Sequence, residues 1–270
     1  MSLSLDTADL AADYEAVSAE RQFVAGQQLI QLVAPAPGER VLDLGCGTGQ
    51  LAEHVAGLVA PGGSVLGLDP LEHRVALAQR RARPGLRFEV GQAEDLSALP
   101  EAGFEIVYLN AVFHWLADKP RVLGQIHRVL RPGGRLGIST GDRSVPGLLP
   151  AARAAALARP PFLGAVAVAK SSFLQVDRAE LEQLLEQAGF TERHIESRPR
   201  HQRFASPEAL IDFAQASSFG NLLGSVPAAL REAARQAIAE ELAPHMTADG
   251  IGQASARLVA VAIRGGAGPR

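Results

Sequence analysis

Val41–Gln50 reads VLDLGCGTGQ, and this stretch decides how the chain folds. Val41, Leu42, Asp43 and Leu44 predict a buried parallel strand. Gly45, Gly47 and Gly49 alternate directly after it, and a helical pattern, Leu51–Val59, follows. A strand that ends in glycines and turns into a helix brings backbone N–H groups up to a ligand, with no Cβ to hold that ligand away. The spacing narrows the ligand. A dinucleotide fingerprint beginning at Gly45 needs a small residue at position 50, where pyrophosphate lies against the helix, and the chain has Gln50 there. No Lys-Ser/Thr pair follows, which excludes a P-loop.

Outward from this stretch, strands and helices alternate from Arg40 to Thr140. Further strands are predicted at Ser64–Asp69, Leu86–Val90, Phe104–Leu109 and Arg135–Thr140. Helices are predicted at Leu71–Ala82 and at Lys119–Leu130, the latter beginning after Asp118 with Pro120 in its first turn. Pro61-Gly62-Gly63, Pro84-Gly85 and Pro132-Gly133-Gly134 mark turns, and Gly133 and Gly134 are expected to supply left-handed geometry. Alternating βα units imply an α/β fold, Rossmann-like and doubly wound, with a mostly parallel seven-stranded sheet and helical cap insertions.

The expected organisation is an N-terminal helical cap over 1–35, with helix from Asp6 to Ala34, and a core over 36–140. A cap insertion over 141–176 follows. The core resumes over 177–200, with helix Asp177–Ala188 and a strand near His194–Pro199. A second helical cap covers 201–255, a final strand 256–264, and a flexible tail 265–270.

Composition sets limits. Apolar content of 47% with 20% charged residues is ordinary for a globular chain. A net charge of −3 gives no electrostatic footprint for nucleic acid. The local basic run Arg80, Arg81, Arg83, Arg87 reads as a solvated helix end. Cys46 is the single cysteine, so neither a disulfide framework nor a thiolate metal cluster can form. The acidic N-terminus lacks signal-peptide character, and no apolar run approaches the roughly 20 residues of a membrane span. A soluble, cytoplasmic monomer or homodimer is expected.

In an open α/β sheet the ligand lies outside the carboxyl ends of the strands, so chemistry is sought just after each of them. Asp69 ends the second strand, where a carboxylate can accept hydrogen bonds from both ribose hydroxyls of an adenosine. The alternative there is a helix N-cap. Gly91-Gln92-Ala93-Glu94-Asp95-Leu96 follows the third strand. Asn110-Ala111-Val112-Phe113-His114-Trp115 follows the fourth, with His114 and Trp115 on the rim. In the N-terminal helix Tyr14, Ser18 and Gln22 share one face.

These motifs, in this order, resemble the class I S-adenosylmethionine-dependent methyltransferases of the small-molecule branch. The likeness rests on Asp-x-Gly-x-Gly-x-Gly at Asp43–Gly49, Asp69-Pro70 with Arg74, and Gly91–Leu96, where Gln92 replaces the usual Asp. Leu130-Arg131-Pro132-Gly133-Gly134 and Ala188-Gly189-Phe190 complete it. The resemblance implies S-adenosylmethionine as cofactor, bound by Asp43, Gly45, Cys46, Gly47, Gln50, Asp69, Pro70, Arg74, Ala93, Glu94, Asn110 and Ala111. It implies methyl transfer to a small, largely hydrophobic molecule, at a hydroxyl or carboxylate oxygen, in small-molecule or natural-product metabolism. The alternatives are transfer to carbon or nitrogen, or a cyclase-like or regulatory protein that binds the cofactor without transfer. Arsenite chemistry, which needs several cysteines, does not fit.

His114 is the candidate base or donor, with a purely pocket-shaping role for His114 and Trp115 as the alternative. Tyr14, Gln22, His114, Trp115 and His201 are the candidate substrate contacts, and no metal triad is evident. Apolar residues of the two insertions, among them Phe162, Phe173, Leu210, Ile211, Phe219, Leu222 and Leu223, are expected mostly to pack with one another, and a pocket roofed by such segments would suit a hydrophobic or aromatic substrate.

Overall fold

A computed structural model of the chain describes residues 7, 19–164, 174–217 and 222–266. The first described helix, α1 (Ala19–Val33), leads into β1 (Arg40–Leu44), α2 (Gln50–Val59), β2 (Ser64–Asp69), α3 (Glu72–Gln79) and β3 (Leu86–Val90). The chain then returns through β4 (Phe104–Asn110), a 3₁₀ turn (Phe113–Trp115), α4 (Lys119–Val129) and β5 (Leu130–Gly141). Next come α5 (Leu148–Leu157), α6 (Arg178–Gln187), β6 (Phe190–Phe204), α7 (Pro207–Ser217), α8 (Arg231–Leu242), the two-residue β7 (Met246–Thr247) and β8 (Gly250–Arg264). No helix among the described residues is long and apolar enough to cross a membrane.

The sheet runs β3-β2-β1-β4-β5-β8-β6, with β7 pairing only to β8. The five strands β1 to β5 are parallel, whereas β8 is antiparallel to β5 and β6. Strand alternation explains the double winding. Leu42, Leu44, Val107, Leu109, Leu136 and Ile138 face one cluster, which α4 and α6 cover with Val122, Ile126, Leu181 and Leu185. Val41, Val65, Ile106 and Tyr108 face the other, covered by Leu29, Ile30 and Val33 of α1 and by Ala52, Val55 and Val59 of α2. The order reverses between β1 and β4, which makes that crevice the switch point.

Local chemistry starts the helices where expected. Asp118 Oδ1 accepts from Arg121 N–H at 3.0 Å, and Asp177 Oδ1 accepts from Glu180 N–H at 3.0 Å. Three features depart from the reading of the sequence. β6 runs on to Phe204 and β8 begins at Gly250, pairing Phe204 with Ile251, in a stretch expected to be helical cap. Up to Arg203, burial along this part of β6 alternates only between intermediate and exposed, so it carries no apolar period to read. β6 is also the edge strand, which tolerates Pro199. β5 begins at Leu130 and includes the Pro-Gly-Gly. Only Gly133 of that pair is left-handed (φ +74); Gly134 is needed because a Cβ would meet Arg131 O at 2.8 Å.

The insertions have a core of their own. Phe162, Leu210, Ile211, Leu222 and Leu223 pack with Leu149 of α5 and Ile238 and Leu242 of α8. These side chains pack with one another, as expected of most of them. Phe173 and Phe219 lie outside the described residues.

Candidate functional site

The cleft at the switch point is built on the loop after β1. Gly45, Gly47 and Gly49 have φ of +78°, +55° and +86°. Gly45 N–H and Cys46 N–H both donate to Leu68 O, at 2.7 and 3.0 Å. Gly47 N–H donates to Asp69 Oδ2 at 2.9 Å, and Gly49 N–H to Cys46 O at 3.0 Å. These amides are therefore engaged inside the protein, which corrects the expectation that the loop offers them to a ligand. What the glycines supply is a left-handed path and close approach: a Cβ on Gly45 would stand 2.2 Å from Val112 Cγ2.

The acids around this loop set its electrostatics. Asp69 is buried, and its Oδ1 also accepts from Leu71 N–H at 3.0 Å, so the carboxylate both turns the chain into α3 and latches the loop. Asp43 is buried beneath it and accepts from the Tyr108 hydroxyl at 2.8 Å. Burial pushes the Asp43 carboxyl up to about 7; the Tyr108 hydrogen bond opposes this and the charge of Asp69 adds to it. Burial, then the charges of Asp43 and Asp69, push the Cys46 thiol up. Arg74 is buried in the first turns of α3. The basic run nearby is not simply solvated. Arg81 donates to Thr48 O at 3.0 Å and, with Arg83, pairs with Glu53, so α3's end is strapped to the loop.

Open space of about 370 Å³ lies between this loop and α1, and Gln22, Asp43, Gly45, Cys46, Gln50 and Asn110 all line it. After β3, Ala93 is buried and Glu94 keeps Oε1 buried with no hydrogen-bond partner, while Gln92 is exposed. Four loop amides engaged internally, with the buried acids Asp43 and Asp69 beside them and the orphaned Glu94 Oε1 nearby, make this loop a poor place for an anion. They fit an uncharged nucleoside that carries a cation. Residues 42–138 match the family model described as a methyltransferase domain. The chain is 32% identical over 229 residues to malonyl-[acyl-carrier protein] O-methyltransferase of Methylococcus capsulatus, covering 80% of this chain and 76% of that protein. The chain belongs to the class I S-adenosylmethionine-dependent methyltransferases.

The chain is also 39% identical over 112 residues to trans-aconitate 2-methyltransferase of Deinococcus radiodurans, 42% of either chain. The chain spans about half the length or less of the first curated relatives it matches. Its fold superposes on Haemonchus contortus phosphoethanolamine N-methyltransferase 2 in complex with S-adenosyl-L-methionine. The TM-score is 0.61 at 18% identity, covering 96% of this chain and 58% of that one. S-adenosylmethionine is the cofactor of the family to which the chain belongs.

Beyond the loop, the ends of β4 and β5 hold the remaining candidates. Ala111 follows β4 with φ +61°, its N–H donating to Ser139 O at 2.8 Å. A non-glycine residue held there costs about 1–3 kcal/mol, a strain that the surrounding sheet must absorb. His114 lies in the 3₁₀ turn, with Nδ1 3.1 Å from Thr140 Oγ1 and its ring 5.2 Å from that of Trp115. Burial first, then the charges of Arg257 and Lys119, push the His114 imidazole down to about 3. Trp115 is buried rather than on the rim, because the 3₁₀ turn folds the chain back under the strand ends. Pro70 is partly exposed at the entry to α3. His201 is exposed on β6, opposite Ala254, and makes no hydrogen bond with the cleft residues. Tyr14 and Ser18 lie outside the described residues.

Four polar residues missed by the sequence reading join this end: Ser139, Thr140, Lys119 and Arg257, all buried. Lys119 Nζ donates to Leu116 O at 2.8 Å and sits 5.4 Å from the Phe113 ring centroid. Arg257 had a readable signal, as the single charge within the apolar run Ala256–Ile263. Its reach into the cleft had none, since that depends on β8 running antiparallel beside β5.

Proposed function

We propose that this methyltransferase moves the methyl group of S-adenosylmethionine to a carboxylate oxygen of a small organic acid. The observation that carries this reading is the pair of buried cations at this end of the site, Arg257 and Lys119, beside His114, whose imidazole burial and those charges push down to about 3. Such a ring is a poor acceptor for a hydroxyl proton at neutral pH. An ionised carboxylate has no proton to lose and needs placement and a positive surrounding. Trans-aconitate and the malonyl group named in the two relatives above are both carboxylic acids, which supports the same choice.

When bound, the cofactor supplies an electrophilic methyl group on a sulfonium. The chain's own residues then bind, orient and exclude water. Asp69 is assigned the ribose hydroxyls, with Pro70 and Arg74 shaping that side. Ala93 and the orphaned Oε1 of Glu94 are assigned the adenine edge. Asp43, Gly45, Cys46 and Gln50 form the floor, and Asn110 and Gln22 the inner end, with Gly47 and Ala111 assigned beside them as their chain neighbours. His114 acts as a neutral donor or spacer held by Thr140, and Trp115 backs it. The reading carries with it a small acceptor in place of nucleic acid, a cytoplasmic setting, and a monomer or homodimer.

The test is a matched panel of small carboxylic acids, alcohols, phenols and amines, following S-adenosylhomocysteine formation and methyl ester by mass spectrometry. Turnover of acids is expected. Turnover confined to phenols, alcohols or amines would overturn the carboxylate assignment.

A further inference from the structure

Side chains from α1, β4 and β5 meet one buried guanidinium. Arg257 donates from Nη1 to Asn110 Oδ1 at 3.3 Å and to Ser139 Oγ at 3.2 Å, and from Nη2 to Gln22 Oε1 at 2.9 Å. Asn110 Nδ2 in turn donates to the backbone carbonyl of Gln22 at 3.0 Å. The chemistry of these groups dictates how both amides are turned, because a guanidinium can only donate and a carbonyl can only accept. Asn110 must present Oδ1 to Arg257 and Nδ2 to α1. Gln22 must present Oε1 to Arg257. What Gln22 retains for the cleft that it lines is Nε2, a donor.

The two ends of the cleft are thereby opposite in character. Asp43 and Asp69 hold acceptors under the loop, while the α1 end offers an amide donor with a cation behind it. α1 is held tightly there, since a Cβ on Gly26 would stand 2.8 Å from Asn110 Nδ2. We propose that Arg257 is the positioning residue that makes this end a carboxylate receptor. By holding Gln22 Oε1 it turns Gln22 Nε2 toward the amino-acid carboxylate of the cofactor, and its charge strengthens that donor. The proposal rests on the S-adenosylmethionine reading of the cleft. It assigns to the last strand, far along the chain from Gln22, the choice between ligands that carry the amino-acid group and those that lack it.

Two ligands separate this role from a structural one. S-adenosylhomocysteine carries the carboxylate; 5′-methylthioadenosine keeps the nucleoside and thioether and lacks it. Calorimetric titration of the full chain is expected to show Arg257→Met weakening S-adenosylhomocysteine by about tenfold or more, with 5′-methylthioadenosine changed by less than about twofold. Gln22→Leu should reproduce that pattern, and the double variant should lose no more than the stronger single one. Arg257→Lys, which restores the charge, should recover part of the affinity. Equal losses for both ligands, or unchanged S-adenosylhomocysteine affinity, would overturn the proposal. If Arg257→Met does not fold, Gln22→Leu and Arg257→Lys carry the same comparison. A wild-type chain that binds neither ligand would instead strike at the cofactor reading of the cleft.

Discussion

Asp43 and Tyr108 stand directly opposite each other in the β1–β4 pairing, and the Tyr108 hydroxyl donates to Asp43 Oδ2 at 2.8 Å. Strands β1 and β4 flank the switch point, so this bond ties together the two strands whose ends carry the glycine loop and Asn110. Both side chains are buried on the α1 face. An acid placed there is held in its protonated form to an unusually high pH, at about 7.

Asp43 therefore makes stability depend on pH. Its folded value, about 7, lies above the ordinary 3.8, so the folded protein binds this proton more tightly than the unfolded chain does. The contribution is full below about 4 and is lost as pH rises through about 7. Urea unfolding of wild type and Asp43→Asn at pH 5 and pH 8 should show wild type losing stability relative to the variant as pH rises. A gain over that interval would contradict the assignment.

Asp69 has one carboxylate oxygen on Gly47 N–H and the other on Leu71 N–H. Hydrogen bonds to a charged group contribute about 1.5–3 kcal/mol each. Asp69→Ala should release the loop and lower S-adenosylhomocysteine affinity by about a hundredfold, read by calorimetry, with circular dichroism confirming the fold. Asp69→Asn, which keeps one accepting oxygen, should fall between.

Gly45 tests the loop's backbone. An alanine at φ +78° meets about 1–2 kcal/mol of left-handed strain, and its Cβ would displace Val112. Gly45→Ala should lower the thermal midpoint. Val112→Ala in the same chain should recover the packing share and leave the backbone share. Full recovery would show that the left-handed path costs nothing here.

His114 should be silent across the physiological range. Its folded value of about 3 lies below the ordinary 6.5, so its contribution to stability is present above about 6.5 and is lost as pH falls toward 3. Its imidazole proton resonances should not titrate above pH 5 in an NMR series. With a carboxylic acid as acceptor, His114→Ala should reduce turnover about tenfold or less, and high pH should not rescue it. Rescue at high pH would return His114 to the role of a base.

The strands β1 to β4, their order of appearance and the helices between them are legible in the sequence because each is short, fully buried or cleanly amphipathic. The cofactor's loop and Asp69 are legible because glycine spacing and a strand-end carboxylate are local patterns. The length of β6 and β8 beyond the core is not, since His201, Arg203 and their neighbours have no apolar alternation to announce a strand. Their pairing is made by backbone groups that every residue carries.

What the sequence by itself determined is the α/β core and the methyl donor, through contacts between residues near one another along the chain. Tertiary structure decided the charge and orientation of the cleft. It turned the loop amides inward onto Leu68 and Asp69, set Asp43 against Tyr108, and placed the half-buried His114 beside Thr140 under the field of Arg257. It also brought Arg257, near one end of the chain, to Gln22, near the other, and to Asn110 between them. Desolvation and the pairing of distant strands have no local spelling, so the α1 end of the cleft could be assembled only by the fold.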